Sequence, residues 1–193
     1  MVNYRFSKEA FVIEDFQNAK TFASFLPAVA GEDGKPLWAF FANVGQGMGG
    51  FGVTSKETPI TPFDSAHLAY SNIPVKGFRT FLKGTDGYFT PFFGDSSAKR
   101  TMTTTMSDFS IAEENRGYKM NVLYSSLPHR PYSALIRKVT YSNTSDKEIE
   151  FEAIDGLPIF FPKGLSNYCY KELVSLMAAY CEVSGLKDKK PFV

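Results

Sequence analysis

The 193-residue sequence is poor in the residues that usually announce chemistry, with two cysteines, two histidines and one tryptophan. So few cysteines exclude a disulfide scaffold. Cys169 and Cys181 fall in a segment that reads as helix, which would hold them roughly 18 Å apart at about 1.5 Å per residue. A disulfide needs Cα atoms within about 7 Å, so the two thiols do not pair with each other, and free thiols suit a reducing cytoplasm. His67 and His129 sit in loop-like contexts, and no His/Cys spacing matches a zinc site. An excess of either charge is also missing: 21 Lys+Arg against 20 Asp+Glu leave a net charge of +1. Without a strong field, neither nucleic acid nor an anionic membrane is an expected partner. The longest apolar run, Leu37 to Ala42, is far shorter than the roughly 20 residues of a membrane span. The first twenty residues carry Arg5, Lys8, Glu9, Glu14, Asp15 and Lys20 and contain no apolar signal core, which predicts a cytoplasmic protein.

What the chain does have is phenylalanine, 19 residues of it, in a composition that is 44% hydrophobic and 21% charged. That balance excludes intrinsic disorder and favours sheets, where aromatic rings pack on pleated surfaces. Strand patterns run through most of the chain. Ile149, Phe151 and Ala153 alternate with glutamates, and this Lys147–Ala153 segment reads as the hairpin partner of Ala134–Tyr141 across the turn-rich Ser142–Asp146. Asn143-Thr144-Ser145 has the form of a glycosylation sequon but, without a secretory signal, reads as turn chemistry. Tyr118–Ser125 alternates, and Thr101–Met106 is β-prone. Phe78–Lys83 and Tyr88–Phe93 flank a Gly84-Thr-Asp-Gly87 turn, with Pro91 confining the second strand to an edge or bulge. Leu37–Val44 is apolar on both faces, as in a central strand. Phe16–Leu26 could form a short helix that Pro27 stops. True helical periodicity comes late, at Leu173, Leu176, Met177 and Tyr180, with Ser166 or Asn167 as cap and Gly185 at the end. The fold expected is mainly β: a large antiparallel β-sandwich over residues 1–164, one C-terminal α-helix over 165–185, and in 186–193 the start of a continuation.

Candidate chemistry is sparse. Gly45-Gln-Gly-Met-Gly-Gly50 spells G-x-G-x-x-G, but the dinucleotide motif needs a helix next and strand and loop follow here, so a wide turn is the better reading. Nucleophile elbows are absent, and Pro128–Pro131 around His129 is a rigid turn. Paired carboxylates serve glycoside chemistry, yet adjacent Glu113 and Glu114 point to opposite faces of a strand, and Asp155-Gly156 reads as a turn leaving the sheet. Sugar recognition asks for an aromatic ring and hydrogen-bonding side chains. Trp38, Gln46, Arg79 and Asp155 supply those types, although Trp38 in an apolar strand reads first as core. No catalytic residue, metal ligand or cofactor site emerges.

Three stretches carry a resemblance: Phe11-Val-Ile-Glu-Asp-Phe16, Gly77-Phe-Arg-Thr-Phe81, and Val139–Ser145 leading through Phe151 to Asp155-Gly-Leu-Pro158 and Pro162-Lys-Gly164. Together they resemble the N-terminal region of glycoside hydrolase family 94, the cellobiose-phosphorylase-like enzymes formerly placed in glycosyltransferase family 36. The 1,2-β-oligoglucan phosphorylase-like group is the most similar. The resemblance implies a supersandwich followed by a helical linker and an (α/α)6 barrel carrying the catalytic aspartate. It also implies inverting phosphorolysis of a β-glucoside, with inorganic phosphate as co-substrate and no cofactor. No barrel motif is present, so no catalytic residue carries over. The expected role is a non-catalytic sandwich, or a fragment of one, that supports the barrel, forms a homodimer face and lends a loop to a β-glucan oligosaccharide. A free-standing carbohydrate-binding module is the alternative. Phe78, Phe81, Phe89, Phe92 and Phe151 are expected to fill the sandwich; Phe16, Phe22, Phe25, Phe160 and Phe161 are expected to form a docking surface.

Overall fold

The computed structural model describes residues 1–26, 37–85, 87–94, 97–162, 164–180, 182, 184–185 and 187–188. Cys181 and, apart from residues 187–188, the continuation expected over 186–193 lie outside them. The described residues form a mainly β protein built from antiparallel sheets. A six-stranded sheet takes its strands in the order β1 (Asn3–Ser7), β2 (Ala10–Glu14), β9 (Lys99–Thr104), β10 (Asp108–Asn115), β11 (Tyr118–Ser126) and β12 (Leu135–Asn143). A four-stranded sheet runs β3 (Ala23–Leu26), β4 (Leu37–Ala42), β5 (Met48–Gly52) and β6 (Pro59–Thr61). A three-stranded sheet has β7 (Arg79–Gly84) between β13 (Glu152–Gly156) and β8 (Gly87–Phe89).

Alternation in β10 and β11 sends Phe109, Ile111, Met120, Val122 and Tyr124 to one face, where they bury against Ala39 and Phe41 of β4 and Leu82 of β7. Phe41 lies flat on Phe109 with ring centroids 3.5 Å apart, and meets Tyr124 edge-on. Each such ring contributes about 1.5–3 kcal/mol of burial. The other face of β4 is apolar too. Phe40 and Ala42 pack with Met48 against Ala69 and Ile73 of helix α1 (Ala66–Lys76). The six-stranded sheet, the four-stranded sheet and α1 therefore make three layers, and β4, buried on both sides, is the strand between them.

Several expectations change. α1 has no counterpart in the sequence reading: only Ala69 and Ile73 are buried, Pro74 lies inside it, and Leu68 and Val75 are exposed, so no apolar stripe advertises it. The short helix expected from Phe16 shrinks to one 3-10 turn, Phe16–Asn18. Asp15, at φ 53°, starts that turn, and pairing with β4 draws Ala23–Leu26 into a strand. The hairpin between Ala134–Tyr141 and Lys147–Ala153 does not form. β12 pairs with β11, and β13 begins only at Glu152 and pairs with β7. Asn143 turns the chain away: its amide donates to the Lys147 carbonyl at 2.6 Å, and its Oδ1 accepts from the Ser145 N–H and hydroxyl, both at 2.8 Å.

The single late helix is two, α2 (Asn167–Glu172) and α3 (Val174–Tyr180), broken at Leu173. Ser166 is the cap, its Oγ accepting from the Cys169 N–H at 3.2 Å. Phe16 is buried at 1% exposure and so offers no docking surface, while Phe22 is partly buried against the main core. The side chain of Phe25 lies outside the described residues. Phe160 is 64% exposed, whereas Phe161 packs on Tyr170. Phe81, expected inside, is 44% exposed on the outer face of β7.

Candidate functional site

The three sheets meet at one buried polar cluster. Cross-strand pairing sets Asp155 of β13 opposite Thr80 of β7. In the six-stranded sheet the same rule sets Arg137 of β12 opposite Tyr124 of β11. Between the two pairs comes Gln46, from the β4–β5 turn. That turn is the glycine-rich segment: Gly45 and Gly47 take φ of 67° and 80°, and the chain continues into β5 rather than a helix.

Arg137 organises the cluster. Its Nε donates to the Tyr124 hydroxyl at 3.2 Å, one Nη donates to an Asp155 carboxylate oxygen, and the other donates to Gln46 Oε1 and, at 3.4 Å, to Thr80 Oγ1. The guanidinium stacks over Phe78 and Tyr124 at 5.4 and 5.8 Å. Thr80 donates its hydroxyl to the second Asp155 oxygen. Gln46 Nε2 donates to Thr80 Oγ1 at 3.2 Å and to the Pro91 carbonyl at 3.5 Å, and Tyr124 donates to the Gln46 carbonyl. Gln46, Thr80 and Tyr124 are fully buried. Burial pushes the Tyr124 phenol up to about 12, against the pull of Arg137, so the hydroxyl stays a donor at neutral pH. Burial alone would depress Arg137, but Tyr124 and Asp155 outweigh it and hold its pKa above the ordinary value.

Over this cluster opens a cleft of about 420 Å³. Phe51, Phe78, Leu157 and Phe160 line its walls, and among the described residues Arg137 and Asp155 are the charged ones of its lining. The Arg137 side chain is only 9% exposed, while that of Asp155 is 30% exposed. A carboxylate has about four acceptor positions and this one spends two inside, which leaves lone pairs for a ligand. Aromatic and aliphatic walls ending on such a pair can hold a small polyhydroxy molecule, rings against its C–H faces and acceptors on its hydroxyls. The volume falls in the range of small-ligand sites.

Of the residues singled out in the sequence, Gln46 and Asp155 are brought together, Gln46 beneath the cleft and Asp155 in its lining. Trp38 is elsewhere. It belongs to the α1 side of β4, edge-on to Phe40 at 6.1 Å and near Phe63 at 6.3 Å, with Gly50 lacking the Cβ that would strike its Nε1 at 2.5 Å. Arg79 follows the outward alternation of β7, with its guanidinium over Phe93 at 5.1 Å and Phe81 at 5.8 Å. Sequence reasoning passed over Arg137, Thr80 and Tyr124. Arg137 did leave a signal: a charge at an inward position of the alternating Leu135, Val139, Tyr141 series.

A second buried cluster consumes the other candidate carboxylate. Glu113, at 2% exposure, accepts from Arg100 Nε at 2.8 Å, from the Tyr118 hydroxyl at 3.0 Å and from the Phe92 N–H. This ties down Phe92 in the left-handed region, at φ 66°. Burial and the Glu113 charge push Tyr118 well above the ordinary tyrosine value. Glu114 is exposed on the opposite face. Among the described residues no three His, Cys, Asp or Glu side chains gather as a metal site requires, and no helix is long and apolar enough to cross a membrane.

The class these features define is an antiparallel β-sandwich with a polar-ended cleft where its sheets converge. Neither the protein-family models nor the curated proteins compared with this chain match it.

Proposed function

We propose that this chain is the non-catalytic N-terminal sandwich, or part of it, of a carbohydrate-active phosphorylase acting on β-glucosides. In this reading it supports an (α/α)6 barrel and a homodimer, and its cleft holds part of a β-glucan oligosaccharide while inorganic phosphate reacts in the barrel. The observation that carries the reading is the cleft, with aromatic walls closed by the Asp155–Arg137 pair. The Asp155-Gly156-Leu157 stretch that resembles the family supplies part of its lining. Exposed Phe160, Leu176 and Tyr180 add apolar surface suited to a partner domain.

The test is a titration of the purified chain with β-linked gluco-oligosaccharides, followed by amide chemical shifts, beside an assay for phosphate-dependent release of glucose 1-phosphate. Weak binding, in the millimolar range, with shifts centred on Asp155, Leu157 and Phe160 and no phosphorolysis is the expected result. Micromolar affinity instead favours a free-standing carbohydrate-binding module. Glucose 1-phosphate release by this chain alone would overturn the non-catalytic reading.

A further inference from the structure

We infer that the cleft selects uncharged polyhydroxy ligands and rejects their anionic derivatives, phosphate monoesters and uronates included. The inference rests on the sugar reading of the cleft and adds a charge rule to it. Among the described residues Arg137 is the cation in the cleft lining, the residue type that would ordinarily capture a phosphate or carboxylate through a two-pronged contact. Here that fork is already spent. Of its five N–H groups, Nε serves Tyr124, the Nη2 pair serves Gln46 and Thr80, and one Nη1 proton serves Asp155. A single Nη1 proton remains, too little for bidentate capture.

Asp155 completes the filter. Its negative charge cancels that of Arg137 and is the more open of the two, with side-chain exposures of 30% and 9%. An incoming anion therefore meets the carboxylate first and is repelled by it before it can reach the guanidinium. A neutral diol meets the same carboxylate as an acceptor for its hydroxyls. Among the described residues no other ionisable side chain lines the cleft, so of these only the largely committed Arg137 opposes the repulsion.

The experiment titrates the purified chain with a neutral β-linked gluco-disaccharide and, separately, with glucose 1-phosphate and glucuronic acid, following the amide signals of Asp155, Gly156 and Leu157. Binding of the neutral sugar about tenfold or more tighter than either anion is the expected result. Asp155→Asn keeps one acceptor oxygen, which can stay on Arg137 while the new amide donates to Thr80 Oγ1, and it removes the charge, so it should narrow or reverse that preference at low ionic strength. Equal or tighter binding of the anions by the unmodified chain overturns the inference while leaving the sugar reading standing. Binding of none of the three removes both. A folded Asp155→Asn protein with unchanged discrimination overturns the role given to Asp155; the unmodified chain's own preference decides the rest whether or not that variant folds.

Discussion

At the scale of single residues, the two buried polar clusters set how the protein responds to alkali and to mutation. Tyr124 keeps its proton to about pH 12 in the folded chain, against 10.0 for an ordinary tyrosine. Between those values the unfolded chain has released a proton that the folded chain retains, so folding stability falls as pH rises. Stability is thus fully present below pH 10 and drains away above it, with Tyr118 shifted in the same direction. Phenolate absorbance should show part of the tyrosine signal rising only together with unfolding, and Tyr124→Phe should shrink that late fraction. The Arg100–Glu113 pair makes a sharper demand, with side-chain exposures of 6% and 2%. Glu113→Ala strands a buried guanidinium and frees Phe92 from its left-handed conformation. Urea unfolding should register a loss of about 3–5 kcal/mol.

At the scale of elements, the Asn143 loop decides which sheet receives β13. Asn143→Ala deletes the side-chain bonds from Asn143 to Ser145 and Lys147 and leaves those between Ser145 and Lys147 in place. Because the loop is exposed, the expected cost is about 1 kcal/mol, with faster amide exchange at Ser145 and Lys147 than in β11. The same loop explains where the sequence could be read and where it could not. β4 and β11 are legible because an unbroken apolar run and a side-chain alternation match their burial, whereas β9 shows through its β-prone threonines and β7 through the Gly84–Gly87 turn beside it. Lys147–Ala153 alternates equally well, yet its partner was settled by one asparagine amide and by β7, some seventy residues away in sequence. α1 was illegible because it buries two small contacts rather than a stripe. In the site, Asp155 and Gln46 were legible by residue type. Their union was not, since it depends on Arg137, which reaches Gln46 across 91 residues of chain.

At the scale of the whole molecule, one core draws on all three sheets: Phe109 and Val122 from the six-stranded, Phe41 from the four-stranded and Leu82 from the three-stranded. The three sheets therefore share that interior, β4 joins it to the second cluster under α1, and thermal unfolding of the sandwich should be a single transition with equal calorimetric and van't Hoff enthalpies. α2 and α3 stand apart from that core. At six and seven residues they are too short to hold as isolated helices, and Val174, Leu176 and Tyr180 are exposed. Native-state hydrogen exchange should find α3 amides opening well below the global unfolding free energy, while those of β11 open only with it.

The two-sided burial of β4 carries a consequence for how the chain finds its register. In a strand with one wet face, a slip of one residue is punished by polarity, because charges go inside and greasy groups go out. β4 has no wet face, so a slipped β4 would trade apolar for apolar. Only volume distinguishes the right alignment: the notch at Gly47, where a Cβ would come within 2.5 Å of the Phe41 ring, and the one at Gly50, which admits the Trp38 indole. Alignment of the central strand is thus enforced as a key is by its wards, by steel rather than by solvent, and filling either notch would blur the register before it dissolved the fold.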